Sequence, residues 1–419
     1  RSDCHGRTII RGRPVSVDQM NIGFLPLVDA ALPILAQEHG FAEEQGLHLN
    51  FIRDVSWASV LDRLLYGHTD AAHLLAPLAI ATTLGRGRPA TALSVPFILG
   101  LNGNAITLSH KLADVVAPDG KLGDPVAVGD KLKAEIAARA TYGHRVRFGV
   151  VHRYSSHNYK LRYWLAQCGI VPDRDVDIVT IAPPFAADAL ASEEVDGICV
   201  GEPWNSVAVE RGVGRIVLVT AQIWRRGVEK VLAMPAERLD NEREKIERLV
   251  RALHFAAKHF VDPENWDANA NILARSEYLD GSAKLINRAI SDRILLTANA
   301  QPVDVPDFMF QYREAANFPW TSQAAWLYSQ MVRWDHLEYR AEDQLRAEQV
   351  FRPNVYRTAL KGLDTPMPGA NAKLEGSVTG NMPVGSTQGR LTLGANPFFD
   401  GRVFDPLEVE KYLDSLPKS

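Results

Sequence analysis

The sequence is poor in cysteine, in net charge and in long apolar runs, and each lack excludes a class of protein. Three cysteines among 419 residues, Cys4, Cys168 and Cys199, are too few and too scattered for a disulfide framework or a zinc site. Cys168 follows an apolar helical pattern and Cys199 lies in an apolar stretch, so both read as buried thiols. A formal net charge of −4 argues against a chain held to nucleic acid or a membrane surface by charge. No stretch reaches the roughly 18 uninterrupted apolar residues of a bilayer span. The most apolar region, Leu74 to Leu101, is broken by Pro77, Thr82, Arg86, Arg88 and Pro96. The amino end carries Arg1, Arg7, Arg11 and Arg13 without an apolar core or a small-residue cleavage pattern, so a cytoplasmic protein is expected. A phosphate loop, a GxSxG elbow, an HExxH pair and a CxxC pair are also missing. With no carboxylate pair standing out as acid and base, a plain scaffold with a polar cleft is what remains.

What is present is an ordinary globular composition, 46% hydrophobic and 23% charged, long enough for two core-bearing units. An offset of 126 residues carries Gly23 to Gly149, Trp57 to Pro183, Asp70 to Asp196 and Pro77 to Pro203. Each position lands on a matching feature. The strand Met20 to Phe24 opens one unit and Val146 to Val150 the other. A helix from Trp57 to about Tyr66 leads into the apolar strand Asp70 to Leu75, and one from Pro183 to about Ser192 leads into Asp196 to Val200. Ser56 is a good N-cap, Pro183 and Pro184 suit a first helical turn, and Ser155 and Ser156 precede a helix with Leu161, Trp164, Leu165 and Cys168 on one face. The short, wholly apolar strands suit parallel sheets covered on both faces. After Gln222 the spacing becomes helical, as in Arg243 to Val261 and Ser322 to Trp334. From about Phe351 to Arg402 the chain is rich in Gly, Pro and Asn and reads as loop. Two α/β lobes with a ligand cleft between them are expected.

Carboxyl ends of strands and amino ends of helices would line that cleft. They carry Trp57, His73, Asn104, His157, Gly201 and Glu202, with Lys230 in the segment that follows. Helix starts offer unpaired N–H groups and partial positive charge, which suit a small anion. Lys230 would add a full charge, with His73 and His157 as donors. Singly, each has a plainer role: Trp57 as core, either histidine as a satisfied structural group, Lys230 as a solvated lysine. Their convergence on one cleft favours binding.

Nine motifs then follow in order between about Asn21 and Trp334. They are Ser56-Trp57, Ala72-His73-Leu74-Leu75-Ala76-Pro77, Asn102-Gly103-Asn104-Ala105-Ile106, Ser156-His157, Arg162-Tyr163-Trp164-Leu165, Pro183-Pro184, Gly201-Glu202-Pro203-Trp204-Asn205, Ile223-Trp224 and Glu229-Lys230. Together they resemble the nitrate/bicarbonate-binding receptors of ABC importers (NrtA/CmpA type). The resemblance implies an α/β, two-lobed, periplasmic-binding-protein-like (type II) fold with the ligand cleft between lobes. It divides the chain into an N-terminal extension (1–17), lobe I (18–108 and 223–350), lobe II (109–222) and a loop-rich tail (351–419).

Within that family the loop Leu101-Asn102-Gly103-Asn104-Ala105-Ile106-Thr107 and the tail Phe398-Phe399-Asp400-Gly401-Arg402 are most similar to the NasS-type nitrate/nitrite sensors. Such sensors sequester a NasT-type ANTAR antiterminator protein and release it on anion binding, with no direct contact to nucleic acid or membrane. The alternative is an exported, periplasmic receptor of an ABC nitrate importer. The superfamily also resembles thiamine-pyrimidine synthases, but their cysteine-rich segment has no counterpart here. Carried over by motif, nitrate contacts fall on Trp57, His157 and Lys230, then on Gly103 and Asn104, with Pro183, Gly201 and Glu202 lining the site and His73 orienting it. Importer receptors carry Gln where this chain has Asn104, a shorter reach that a water could bridge. The bicarbonate branch has an acid and a calcium ion where this chain has Lys230, so the lysine implies a monoanion bound without metal.

Overall fold

A computed structural model describes residues 17–417. Cys4 and the arginines of the amino-terminal extension lie outside the described residues. Two mixed sheets organise the chain. The first uses β1 (Asp18–Phe24), β2 (Leu47–Arg53), β3 (Ala71–Leu75) and β4 (Leu93–Asn102). The second uses β5 (Asn104–Leu108), β6 (Val146–Val150), β7 (Val176–Thr180), β8 (Gly197–Gly201) and β9 (Arg215–Val219), and β10 (Val228–Pro235) returns to the first. The first sheet runs from the two-residue strand Met309–Phe310 through β4, β10, β3 and β1 to β2, and the second runs β7-β6-β8-β5-β9. This is the two-lobed fold of periplasmic binding proteins.

The helices between strands start where the sequence places caps. Ser56 accepts from the Ser59 N–H at 3.2 Å and opens Trp57–Leu65, which buries Val60, Leu61 and Leu64. Ser155 accepts from the Asn158 N–H at 3.2 Å and opens Ser156–Gln167. Such a cap satisfies one of the N–H groups that a helix start leaves free. Strands joined by these helices pair in parallel: β1 with β2 and β3, and β6 with β7 and β8.

The sheets depart from the all-parallel reading at the strands that cross between lobes. β5 enters the second sheet straight from β4 and runs antiparallel to β8 and β9. β10 re-enters the first sheet antiparallel to β3 and β4. A strand arriving from the other lobe runs against strands delivered by helical crossovers. The chain changes sheets at Gly103, so Asn104–Leu108 belongs with the second sheet and not, as the boundary after residue 108 has it, with lobe I. β10 also interrupts the helical stretch expected after Gln222. Both its faces are covered, so it shows no alternation to betray it.

The tail corrects another expectation. Within the stretch read as loop, Pro353–Leu360 is a helix that opens on a proline and buries Val355, Tyr356, Ala359 and Leu360 on one face. Further on, Phe398 stacks on Trp224 with centroids 4.9 Å apart and lies 5.6 Å from Trp326. Asp400 accepts from the Tyr163 hydroxyl at 2.8 Å and from Gln167 at 2.6 Å. Tyr163 and Gln167 sit on the helix Ser156–Gln167 of the second lobe, whereas Trp326 belongs to Thr321–Arg333 beside the first. The tail therefore straps the lobes together. Cys199 is buried and Cys168 half-buried, both as free thiols. No helix among the described residues is long and apolar enough to cross a membrane.

Candidate functional site

The site grows from an irregularity in β10. Successive residues of a regular strand face opposite sides, yet Glu229 and Lys230 meet, Nζ to Oε1, at 3.1 Å. The register with β4 shifts between Val228 and Lys230 and again between Lys230 and Val231. Bulges of this kind re-aim side chains, and here both charged groups reach buried surroundings. Lys230 Nζ also lies 2.8 Å from Asp29 Oδ2, which comes from the turn after β1. Across the cleft, His157 Nδ1 meets Glu229 Oε1 at 2.9 Å and Lys160 Nζ meets Glu229 Oε2 at 3.3 Å. Both come from the first turns of Ser156–Gln167. Lobe I thus supplies the acids and Lys230, and lobe II supplies His157 and Lys160.

Burial alone would push these carboxyls up, but the lysines and hydrogen-bonding histidines beside them win. Lys230 and His73 hold Asp29 below the usual carboxylate range. Lys230, Lys160 and His157 do the same for Glu229. For Lys230, burial pulls downward and the two carboxylates outweigh it, so its ammonium is held charged. For His157, burial dominates and holds the imidazole below its ordinary range despite Glu229.

Around this cluster are buried polar atoms without a partner among the described residues: Trp57 Nε1, both amide atoms of Asn104, His157 Nε2 and Glu202 Oε1. Unpaired buried donors are rare in folded proteins because each costs about 1–3 kcal/mol. Trp57 lies against His73 with centroids 5.0 Å apart, and Lys230 Nζ sits 5.5 Å from the Trp57 ring centroid. Gly201 lets its neighbours pack close, since a Cβ there would meet Leu27 Cδ2 at 3.0 Å. A Cβ there would come within 3.2 Å of Asn104 Oδ1 and 3.6 Å of Asp29 Oδ2. Trp57, Asn104, His157, Gly201 and Lys230 therefore converge on one buried, polar place.

The other candidates behave differently. His73 has no free nitrogen: Nδ1 accepts from the Leu25 N–H at 3.4 Å and Nε2 meets Asp29 Oδ1 at 2.7 Å. It orients Asp29. Gly103 spends its N–H on the Phe308 carbonyl at 2.6 Å, and its φ of +86° serves the passage between sheets. Pro183 opens a 3-10 turn and shares no hydrogen bond with the cluster. Glu202 accepts from the Ser206 N–H at 3.3 Å, and burial pushes its carboxyl up to about 7. Lys230 is not the unpaired cation expected, since two carboxylates already hold it. Asp29, Lys160 and Glu229 were not among the residues expected to form the site. Asp29 had a visible signal, a lone acid inside the apolar run Phe24 to Ala36. Among the described residues, no group of three His, Cys, Asp or Glu is arranged to hold a metal ion.

Comparison with known proteins supports the fold. The nitrate/nitrite binding protein NrtA of Synechococcus elongatus is 29% identical over 417 residues, which covers 97% of this chain and 87% of the relative. The nitrate import ATP-binding protein NrtC of Synechocystis is 30% identical over 349 residues, 83% of this chain, and this chain spans 50% of NrtC's length. The crystal structure of the periplasmic nitrate-binding protein NrtA from Synechocystis superposes with a TM-score of 0.83 at 25% identity, covering 96% of this chain and 98% of that one. The model of the NMT1-like family matches residues 13–274. The chain belongs to the NMT1-like family.

Proposed function

We propose that this protein is a nitrate-binding receptor that holds nitrate, and nitrite, between its lobes and delivers it to an ABC importer. The observation that carries the reading is the set of unpartnered polar groups, the donors Trp57 Nε1 and Asn104 Nδ2 and the ring nitrogen His157 Nε2, buried around the charged Lys230. Nitrate is a weakly hydrated, planar acceptor, so several modest donors and a cation must act together in a dry cleft. The names of the relatives, nitrate/nitrite binding and nitrate import, point the same way. A receptor role goes with a periplasmic setting, as the name of the solved NrtA has it, in place of the cytoplasm expected from the amino end.

The sensor reading, with a NasT-type antiterminator as partner, stands second. Its distinguishing tail, Phe398 to Arg402, is already engaged with Trp224, Tyr163 and Gln167, so internal packing accounts for that motif. Of the relatives named above, NrtC carries nitrate import in its name. Calorimetric titration with sodium nitrate, sodium nitrite, bicarbonate and a short alkanesulfonate tests the proposal. Saturable heat with nitrate at one site per chain is expected. Heat with bicarbonate or the sulfonate and none with nitrate would reject it.

A further inference from the structure

The formal charges buried in the site cancel. Asp29 and Glu229 are the acids and Lys160 and Lys230 the bases, paired at 2.8, 3.1 and 3.3 Å. A monoanion added to this set leaves one negative charge without a counterpart. Inside a protein that is severely unfavourable, because an unpaired buried charge loses its hydration with nothing in return. Something must arrive with the anion.

Three groups could take up the compensating proton: Glu202, whose carboxyl burial pushes up to about 7, and two histidines, whose hydrogen bonds tell them apart. His73 accepts a backbone N–H at Nδ1 and donates Nε2–H to Asp29. A second proton on His73 would face the Leu25 N–H, so His73 is locked neutral. His157 is the opposite case. Its Nδ1 faces Glu229 Oε1, a carboxylate that only accepts, so Nδ1 carries the hydrogen. Its Nε2 is buried without a partner. In the neutral ring that nitrogen is a bare lone pair, which repels an anion's oxygen; protonated, it becomes a donor.

We propose that His157 takes a proton onto Nε2 as nitrate enters, so that nitrate and a proton bind together. This rests on the nitrate reading above and states how that site meets the charge of its ligand. The groups facing His157 fit the role. Glu229 favours the extra proton, while Lys230 beside it and Lys160 on the same helix oppose it. On β8, Cys199 Sγ lies 3.7 Å from the His157 carbonyl, and burial pushes that thiol up, so it stays uncharged. His152, in the loop before the helix, is pulled down by burial to about 4 and is neutral at pH 7. Burial likewise keeps His157 deprotonated before the ligand arrives. The proton comes from solvent with the anion and leaves with it; no bond other than N–H forms or breaks.

The experiment is calorimetric titration of the wild-type protein with sodium nitrate from pH 6 to 8.5. Two buffers of different ionisation enthalpy are used at each pH, neither of them a sulfonate. Uptake approaching one proton per nitrate is expected, with affinity falling about tenfold per pH unit over the coupled range, as linkage requires. A dissociation constant constant within about twofold, with no buffer-dependent heat, would overturn the proposal while leaving the nitrate reading intact. Absence of nitrate binding at every pH would overturn both. Nitrogen NMR of the histidine rings assigns the proton, using His157→Gln to identify the signal. Nitrate should convert that ring to imidazolium, and conversion of a different histidine would refute the assignment. Proton uptake with no ring converted would place the proton on Glu202 and overturn the proposal.

Discussion

Replacing Lys230 separates what the lysine does for the fold from what it does for the ligand. Lys230→Met preserves the volume of the stem and deletes the charge. Glu229 retains His157 at 2.9 Å and Lys160 at 3.3 Å, but Asp29 keeps only His73 at 2.7 Å. Removing one partner of a buried ion pair typically destabilises by about 3–5 kcal/mol, and here nearly all of that falls on Asp29. Adding Asp29→Asn to Lys230→Met should therefore restore most of the stability, whereas adding Glu229→Gln should not. Nitrate binding follows a different rule, since the cation is needed whatever Asp29 carries. Loss of a charged hydrogen-bonding group, worth about 1.5–3 kcal/mol, weakens nitrate roughly ten- to a hundredfold in both the single and the double variant. Urea unfolding without nitrate gives the first quantity, with Lys230 and Asp29 expected to couple by about 2 kcal/mol or more in the cycle. Calorimetry with nitrate gives the second. A Lys230→Met protein as stable as wild type would refute the buried pairing, and wild-type nitrate affinity in the double variant would refute the site.

Three further outcomes follow from the same structure. Asp29→Asn leaves Lys230 with charge to spare, so nitrate binding above pH 8 should strengthen and its pH dependence flatten; an unchanged profile by calorimetry would contradict the charge count. Glu202 is raised by burial to about 7, so its contribution is present below its ordinary value near 4.5 and lost as pH rises through 7. Glu202→Gln should gain about 3 kcal/mol relative to wild type between pH 4.5 and 8, and urea midpoints that move in parallel across that range would refute it. His336 is held down by burial to about 3, with Nδ1 at 2.7 Å from the Tyr159 hydroxyl. The unfolded chain binds that proton first, so stability is present above about 6.5 and lost on acidification. His336→Gln should reduce the slope of stability against pH by about 1.4 kcal/mol per pH unit between 6 and 4, as read from urea unfolding at several pH values.

The parts of this molecule legible in the sequence are those set by local chemistry. Ser56 and Ser155 announce helix starts because a cap acts on the N–H groups within the next three residues. The apolar strands of the two lobes, and the repeat that relates them, show because burial on both faces writes itself as a continuous apolar run. What stays hidden depends on partners distant in the chain. The Lys230 partner Asp29 is brought in from another element, and the meeting of Glu229 with Lys230 depends on a bulge that no spacing rule marks. β10 itself is masked because Glu229 and Lys230 break the apolar run that shows the other buried strands. The helix Pro353–Leu360 is lost among glycines and prolines although its buried Val355, Tyr356, Ala359 and Leu360 hold helical spacing. The consequence for function is specific. A sequence displays donors (Trp57, Asn104, His157, Lys230) by type, but it does not display which acids neutralise them. Counted from the sequence, the cleft holds a free cation and needs nothing more to hold nitrate. Counted from the structure, Asp29 and Glu229 have already claimed the lysines, and on the proposal made above the balance passes to His157, whose buried Nε2 is open.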